Sequence, residues 1–361
     1  MLRRSHRVTA ISAAVALALG AVAPAAFAQE GSSVVVLMPT RSNNYLAEWI
    51  RGAEDEAARQ GIGLTIIENN FDQAEQDVQV QQQINVGETP DAYVWWPAGN
   101  DAGVASLNAL AATGVPVIQT NQLPAAGAED AVVAYTGVDD VLNGEVATQL
   151  LVDARDALVD AGTLELSSEG GNAIAIKFVA GYAAGDDRMT GFHNVADPAG
   201  INLIAEEAAG FDAQTGYTAA QALITANREA GIDMVYAQND NLAVGAIQAL
   251  EEAGFEPGVD VAVVGGTCHG NLDELRDGKQ YATGLQAAFL EGLYTINTVA
   301  RYLADPTVQE GTYNEPATAD GFPDFPAQIS EFNFIPNPGI LSTDLDATVL
   351  WGSPLTELCV Y

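Results

Sequence analysis

Residues 235–250 read VYAQNDNLAVGAIQAL. The apolar run Val235-Tyr236-Ala237 gives way to four polar residues, Gln238-Asn239-Asp240-Asn241, and then Leu242, Val244, Ile247 and Leu250 recur at helical spacing. A buried strand is therefore predicted to feed straight into a helix, with a polar cluster at the turn. One residue is enough to cap a helix, and the expected cap is Asp240 or Asn241. That assignment leaves the Asn239 side chain for a ligand.

Outward from this stretch, short apolar runs alternate with amphipathic segments along most of the chain. Residues 34–38, 64–68, 93–96 and 115–118 form one series of predicted strands, with helices over about 44–60, 72–86 and 101–113. Residues 173–179, 202–206, 234–237 and 261–264 form a second series. Runs that are apolar throughout suit parallel strands covered on both faces. The expected fold class is α/β, with two doubly wound parallel-sheet lobes joined by a hinge. The expected divisions are an N-terminal lobe over 29–137, to which about 281–304 returns, and a C-terminal lobe over 138–280. A C-terminal extension, 305–361, is expected to wrap back near the hinge and the second lobe. It is proline-punctuated, yet Phe332, Phe334, Ile335, Leu350 and Trp351 would be costly to leave in water, so it reads as ordered.

Ligands of open α/β sheets bind beyond the carboxyl ends of the strands. Here those ends carry Ser42, Asn43 and Tyr45, then Asn121-Gln122, Arg188, Phe211, Gln238-Asn239-Asp240 and Thr267. Two lobes with such edges face each other across a cleft, a preferred place for a small molecule. Trp95 and Trp96 are adjacent strand residues that face opposite ways, so core packing is expected for each and at most one approaches the cleft.

The first 28 residues have a basic start (Arg3, Arg4, Arg7), a short apolar stretch and Ala26-Phe27-Ala28, the pattern of a secretory signal peptide. Three of the 13 basic residues lie in that leader, against 48 acidic residues elsewhere. So acidic a chain is not a nucleic-acid binder. Its acidity reads as a strongly solvated surface. Cys268 and Cys359 are expected to pair as a disulfide in an oxidising compartment, two free buried thiols being the alternative. No ligand spacing for zinc or calcium occurs, and no metal or cofactor is expected.

Several stretches carry a resemblance over nearly all of residues 33–304. They are Ser42-Asn43-Asn44-Tyr45 with Arg51-Gly52-Ala53-Glu54, Gly114-Val115-Pro116-Val117-Ile118, Gly137-Val138-Asp139-Asp140, Arg188-Met189-Thr190-Gly191-Phe192, Gln238 to Ala246, and Asp277-Gly278-Lys279 up to Gln286. In order and spacing the chain resembles the periplasmic sugar-binding proteins typified by the ribose-binding protein, the type I solute-binding fold that feeds ABC importers. The resemblance implies ligand contacts from Asn43, Tyr45, Arg188, Phe211, Asn239 and Gln286. Where the family often has an Asp-Arg pair this chain has Asn121-Gln122. Where the family often has Asp after the Val-Val-Gly strand it has Gly266-Thr267-Cys268. Two sugar-gripping carboxylates are thus missing, which puts ribose in doubt and leaves a polyol, another sugar or a sugar acid.

The resemblance implies a monomeric periplasmic receptor that captures a small carbohydrate or polyol for an ABC permease in the inner membrane. The alternative is a ligand sensor of the same fold for a chemoreceptor or sensor kinase. A secreted hydrolase built on Asp139-Asp140 lacks a nucleophile–base pair, so the chain is not expected to be an enzyme.

Overall fold

The computed structural model describes residues 31–314, 329–351 and 353–359. The expected signal peptide lies outside the described residues.

The first sheet contains β1 (Ser33–Pro39), β2 (Gly63–Asn69), β3 (Ala92–Trp95), β4 (Val117–Thr120) and β5 (Ala134–Gly137), all parallel, in the spatial order β2-β1-β3-β4-β5. Helices α1 (Asn44–Gln60), α2 (Gln73–Asn85) and α3 (Val104–Ala111) alternate with its strands. β1 shows why the run is apolar throughout. Val34, Val36 and Met38 pack with α1 on one face, whereas Val35 and Leu37 pack with Val80 and Leu107 of α2 and α3 on the other.

The chain then passes to α4 (Asp140–Asp160), β6 (Asn172–Lys177), α5 (Ala183–Ala196), β7 (Asn202–Ala208), α6 (Ala213–Asn227), β8 (Met234–Ala237), α7 (Asp240–Ala253), β9 (Ala262–Gly265), α8 (Leu272–Arg276) and β10 (Ala282–Gly284). The second sheet has the matching order β7-β6-β8-β9-β10. In both sheets the strand order reverses between the first and third strands, at β1/β3 and at β6/β8, which is where a doubly wound sheet opens a ligand crevice.

Two expectations need correction. The return to the first lobe is expected at about residue 281, but Ala282 and Thr283 pair with Val264 and Gly265, so β10 stays in the second sheet. The return begins with α9 (Ala288–Ala304), which packs on α1. The extension also does more than wrap near the hinge and the second lobe. β11 (Val308–Asn314) and β12 (Ile329–Phe334) add to the first sheet beside β5, and β13 (Gly339–Leu341) then pairs antiparallel with β10. β5 and β10 would otherwise be open edges with unpaired backbone groups, and the tail covers both. Beyond it, β14 (Val349–Leu350), β15 (Ser353–Pro354) and α10 (Leu355–Leu358) bring Cys359 to Cys268, and the two form a disulfide. Ile340, Leu345, Leu350, Leu355 and Leu358 pack there with Leu275, Leu285 and Ala287 as a small separate core.

Candidate functional site

The polar cluster after β8 organises the second half of the site. Gln238 accepts from the Phe178 backbone N–H at 2.7 Å and donates to the Gly185 carbonyl at 2.6 Å, which fixes the β6–α5 loop. Asn239 accepts from the Leu242 N–H at 2.8 Å, capping α7, and donates to the Phe211 carbonyl at 3.1 Å, which holds the β7–α6 loop. Asp240 is buried and accepts from the Thr267 N–H at 2.8 Å, the Thr267 hydroxyl at 2.9 Å, the His269 N–H at 3.3 Å and Gln280. So many polar residues follow one strand because each ties down a different loop.

This corrects the expected division of labour. The cap is Asn239 itself, not Asp240 or Asn241, and Asp240 secures the loop after β9. Asn239→Ala is therefore expected to lower the unliganded melting temperature, since the cap alone is worth about 1 kcal/mol. Thermal melts of parent and variant check this. An unmoved melting point with weakened binding would restore the division expected from sequence.

Arg188 lies at the bottom of the cleft, on α5. Gly144 of α4 and Gly191 of α5 let these helices approach closely: a Cβ on Gly144 would fall 2.1 Å from the Arg188 carbonyl oxygen, and one on Gly191 would fall 2.0 Å from that of Val141. The approach brings Asp140, at the start of α4, to Arg188 Nε at 2.8 Å. Nη1 of Arg188 donates to the Gln238 carbonyl at 2.5 Å, Nη2 to Gln286 Oε1 at 2.7 Å, and the guanidinium lies 4.9 Å from the Phe178 ring centre. Burial pushes the Asp140 carboxyl up, to about 7, and the neighbouring Arg188 charge pulls it back.

Opposite, Asn43 caps α1, accepting from the Tyr45 N–H at 2.9 Å, and the Tyr45 hydroxyl donates to Glu291 of α9. Asn121 donates to Glu291 at 3.3 Å and accepts from the Tyr182 hydroxyl at 3.0 Å, while Trp96 Nε1 donates to the same hydroxyl at 3.2 Å. Burial raises the Glu291 carboxyl to about 8, and the hydrogen bonds from Tyr45 and Asn121 pull it back. Phe71 stacks on Phe211 across the cleft, with centroids 5.0 Å apart, and Phe178 and Tyr182 adjoin Phe211. Phe71, Asn121 and Cys268 hold positive φ angles of 57°, 67° and 51°. Backbone strain of this kind, about 1–3 kcal/mol per residue, gathers at functional sites.

Of the residues expected from sequence, Asn43, Tyr45, Asn121, Arg188, Phe211, Asn239, Thr267 and Gln286 line one interlobe cavity. Ser42 and Gln122 do not. Ser42 is exposed, one residue before the α1 cap. Gln122 is buried as a tie between lobes, donating to the Pro97 carbonyl at 2.8 Å and accepting from the Ala183 N–H at 3.2 Å. Trp95 packs in the core, and Trp96 both packs with α1 and lines the cavity. The sequence reading missed Phe71, Phe178, Tyr182 and His269. Their only signal was position, just past the ends of β2, β6 and β9.

The comparisons with known proteins agree with this architecture. A family model described as periplasmic binding protein domain matches residues 34–306. The ribose import binding protein of Escherichia coli is 28% identical over 296 residues, which cover 81% of this chain and 92% of that protein. The galactofuranose-binding protein of the same organism is 26% identical over 264 residues, 72% of this chain and 76% of its own. Among solved structures, a Bacillus halodurans ABC transporter solute-binding protein with bound myo-inositol aligns with a TM-score of 0.67 at 21% identity, covering 88% of this chain and 96% of that one. The two lobes, the matching strand orders and the family match over most of the length lead to one conclusion: the chain belongs to the periplasmic binding protein family and is a solute receptor rather than an enzyme.

Proposed function

We propose that the protein captures a small, uncharged sugar or polyol between its lobes and presents it to an ABC permease of the inner membrane. The observation that carries the neutrality of the ligand is the engagement of Arg188, whose three nitrogens already bond Asp140, the Gln238 carbonyl and Gln286. Two of the five guanidinium N–H groups remain to meet ligand hydroxyls, but the Asp140 carboxylate already compensates the charge, so a carboxylate ligand would find no unpaired cation and would meet Asp140 behind it. The sugar-acid alternative left open by the sequence is thereby disfavoured. Aromatic faces from Phe71, Phe178 and Phe211 suit the C–H side of a sugar ring, and amides from Asn43 and Gln286 suit hydroxyls.

The lobes close about the three connections that follow β5, β10 and β12. The leader, residues 1–28, directs export to the periplasm, where the receptor works as a monomer. A signalling role would add a chemoreceptor as partner. Relatives named for ribose and galactofuranose, and a fold neighbour holding myo-inositol, support the ligand class.

A thermal-shift panel that pairs neutral sugars with their uronic acids tests this reading. A neutral ligand at about 100 times its dissociation constant adds about 2.7 kcal/mol of stability, and its acid counterpart is expected to add none. Small-angle scattering should show a smaller radius of gyration with that ligand. A uronic acid that binds more tightly than its neutral parent would overturn the reading.

A further inference from the structure

Most polar side chains along the cavity are already occupied by the protein. The Tyr45 hydroxyl is on Glu291, and both ends of the Asn121 and Asn239 amides have partners. The Thr267 hydroxyl is on Asp240. His269 differs. Only 4% of it is exposed, its ring lies 5.3 Å from that of Tyr45, and it lines the cavity. Among the described residues, its Nδ1 is the one buried cavity-lining side-chain polar atom without a well-formed hydrogen bond, the Thr267 backbone being the one protein group that bears on the ring as a hydrogen-bond partner. An orphaned buried nitrogen costs roughly 1–3 kcal/mol, a cost that persists only if something else repays it.

We propose that His269 is a specificity-determining ligand contact, its ring nitrogen completing a hydrogen bond with a hydroxyl of the bound sugar or polyol. The inference rests on the reading of the protein as a receptor for a neutral hydroxylated ligand, and names a residue of that site. Burial lowers the imidazole pKa to about 4, so at neutral pH the ring is uncharged, with one donor nitrogen and one acceptor nitrogen. The Thr267 backbone takes up the donor, which leaves the acceptor nitrogen for a ligand hydroxyl, since a hydroxyl can donate to it. Among the described residues that line the cavity none is a carboxylate that could accept from ligand hydroxyls, and the neutral ring supplies an acceptor without adding charge beside Arg188. Its placement is fixed by neighbours: the His269 N–H is bonded to Asp240 at 3.3 Å, and the preceding Cys268 is tied to Cys359.

The test begins with a thermal-shift panel of D-ribose, D-galactose, D-allose, L-arabinose and myo-inositol, and takes the tightest binder to calorimetry and to NMR of ring ¹⁵N-labelled histidine. His269→Leu is expected to bind about ten- to hundredfold more weakly, and His269→Gln, which keeps a hydrogen-bonding group, to recover most of the loss. In the parent protein the His269 ring nitrogen resonances should move on saturation while those of exposed His193 stay in place. Unmoved His269 resonances, or equal losses in both variants, overturn the proposal while the observed binding leaves the receptor reading intact. If no panel member binds the parent, the receptor reading itself fails and the proposal with it.

Discussion

Arg188→Ala is expected to cost about 3–5 kcal/mol of stability and to abolish measurable ligand binding, because removing one member of a buried ion pair leaves the other charge uncompensated. Asp140, 3% exposed, would lose its cationic partner. The Gln238 carbonyl and Gln286 would lose their donors in the same step. Since these groups belong to the turn after β8, to α4 and to the segment after β10, one side chain joins three parts of the site. A double variant separates stability from recognition. Arg188→Met with Asp140→Leu replaces the pair by apolar side chains and should recover most of the stability, as buried ion pairs exchanged for well-packed hydrophobes often do. Binding should remain lost, because no guanidinium orients Gln286 or faces the ligand. Urea melts and calorimetry on the parent, the single and the double variant decide the matter. A single variant as stable as the parent, or a double variant that binds as tightly, would sink the argument.

The fold was legible where strands are buried on both faces. β1, β6 and β8 are unbroken apolar runs because α1 and α2, or α5 and α7, cover them on either side. β4 lies two residues later than its apolar run suggests because its last residues, Gln119 and Thr120, are polar yet buried, Gln119 bonded to Asn100 and the Gln122 carbonyl and Thr120 to Thr295. β5, β10 and the tail strands escaped notice since three or four residues such as Ala-Tyr-Thr-Gly carry no periodicity, and pairing with a distant edge has no local signal. The polar half of the site was legible because amides and a guanidinium at strand ends have few other reasons to be there. The aromatic half was not: Phe71, Phe178 and Tyr182 look like core residues in sequence, and only the facing of two lobes turns them toward a ligand. His269 follows a cysteine and matches no motif, so only its missing hydrogen bond distinguishes it.

Cys359→Ser is expected to lower stability by an amount comparable to the loss in Arg188→Ala, for a different reason. The bond joins residues 91 apart in sequence, and the chain-entropy estimate for a loop of that length is about 4–5 kcal/mol. The bond acts on the unfolded chain, but its loss also reaches the site. In the folded protein it anchors the small core of Ile340, Leu345, Leu350, Leu355 and Leu358 beneath the loops that follow β9 and β10, which carry Thr267, His269 and Gln286. Freed from the tail, Cys268 no longer holds its left-handed backbone conformation by covalent restraint, and the loop gains room to move. Stability and affinity should therefore both fall in Cys359→Ser. Adding reductant to the parent should reproduce both losses, and reoxidation should restore them. Removing the bond must leave Asp240 in place on the Thr267 and His269 N–H groups for binding to survive in part. The comparison to make is parent against variant by urea titration and calorimetry, with non-reducing mass spectrometry to establish the bond in the parent. If the variant unfolds at the same urea midpoint as the oxidised parent, the tail is held by its strand pairing with β5 and β10 alone, and the disulfide is not what fixes the wall of the site.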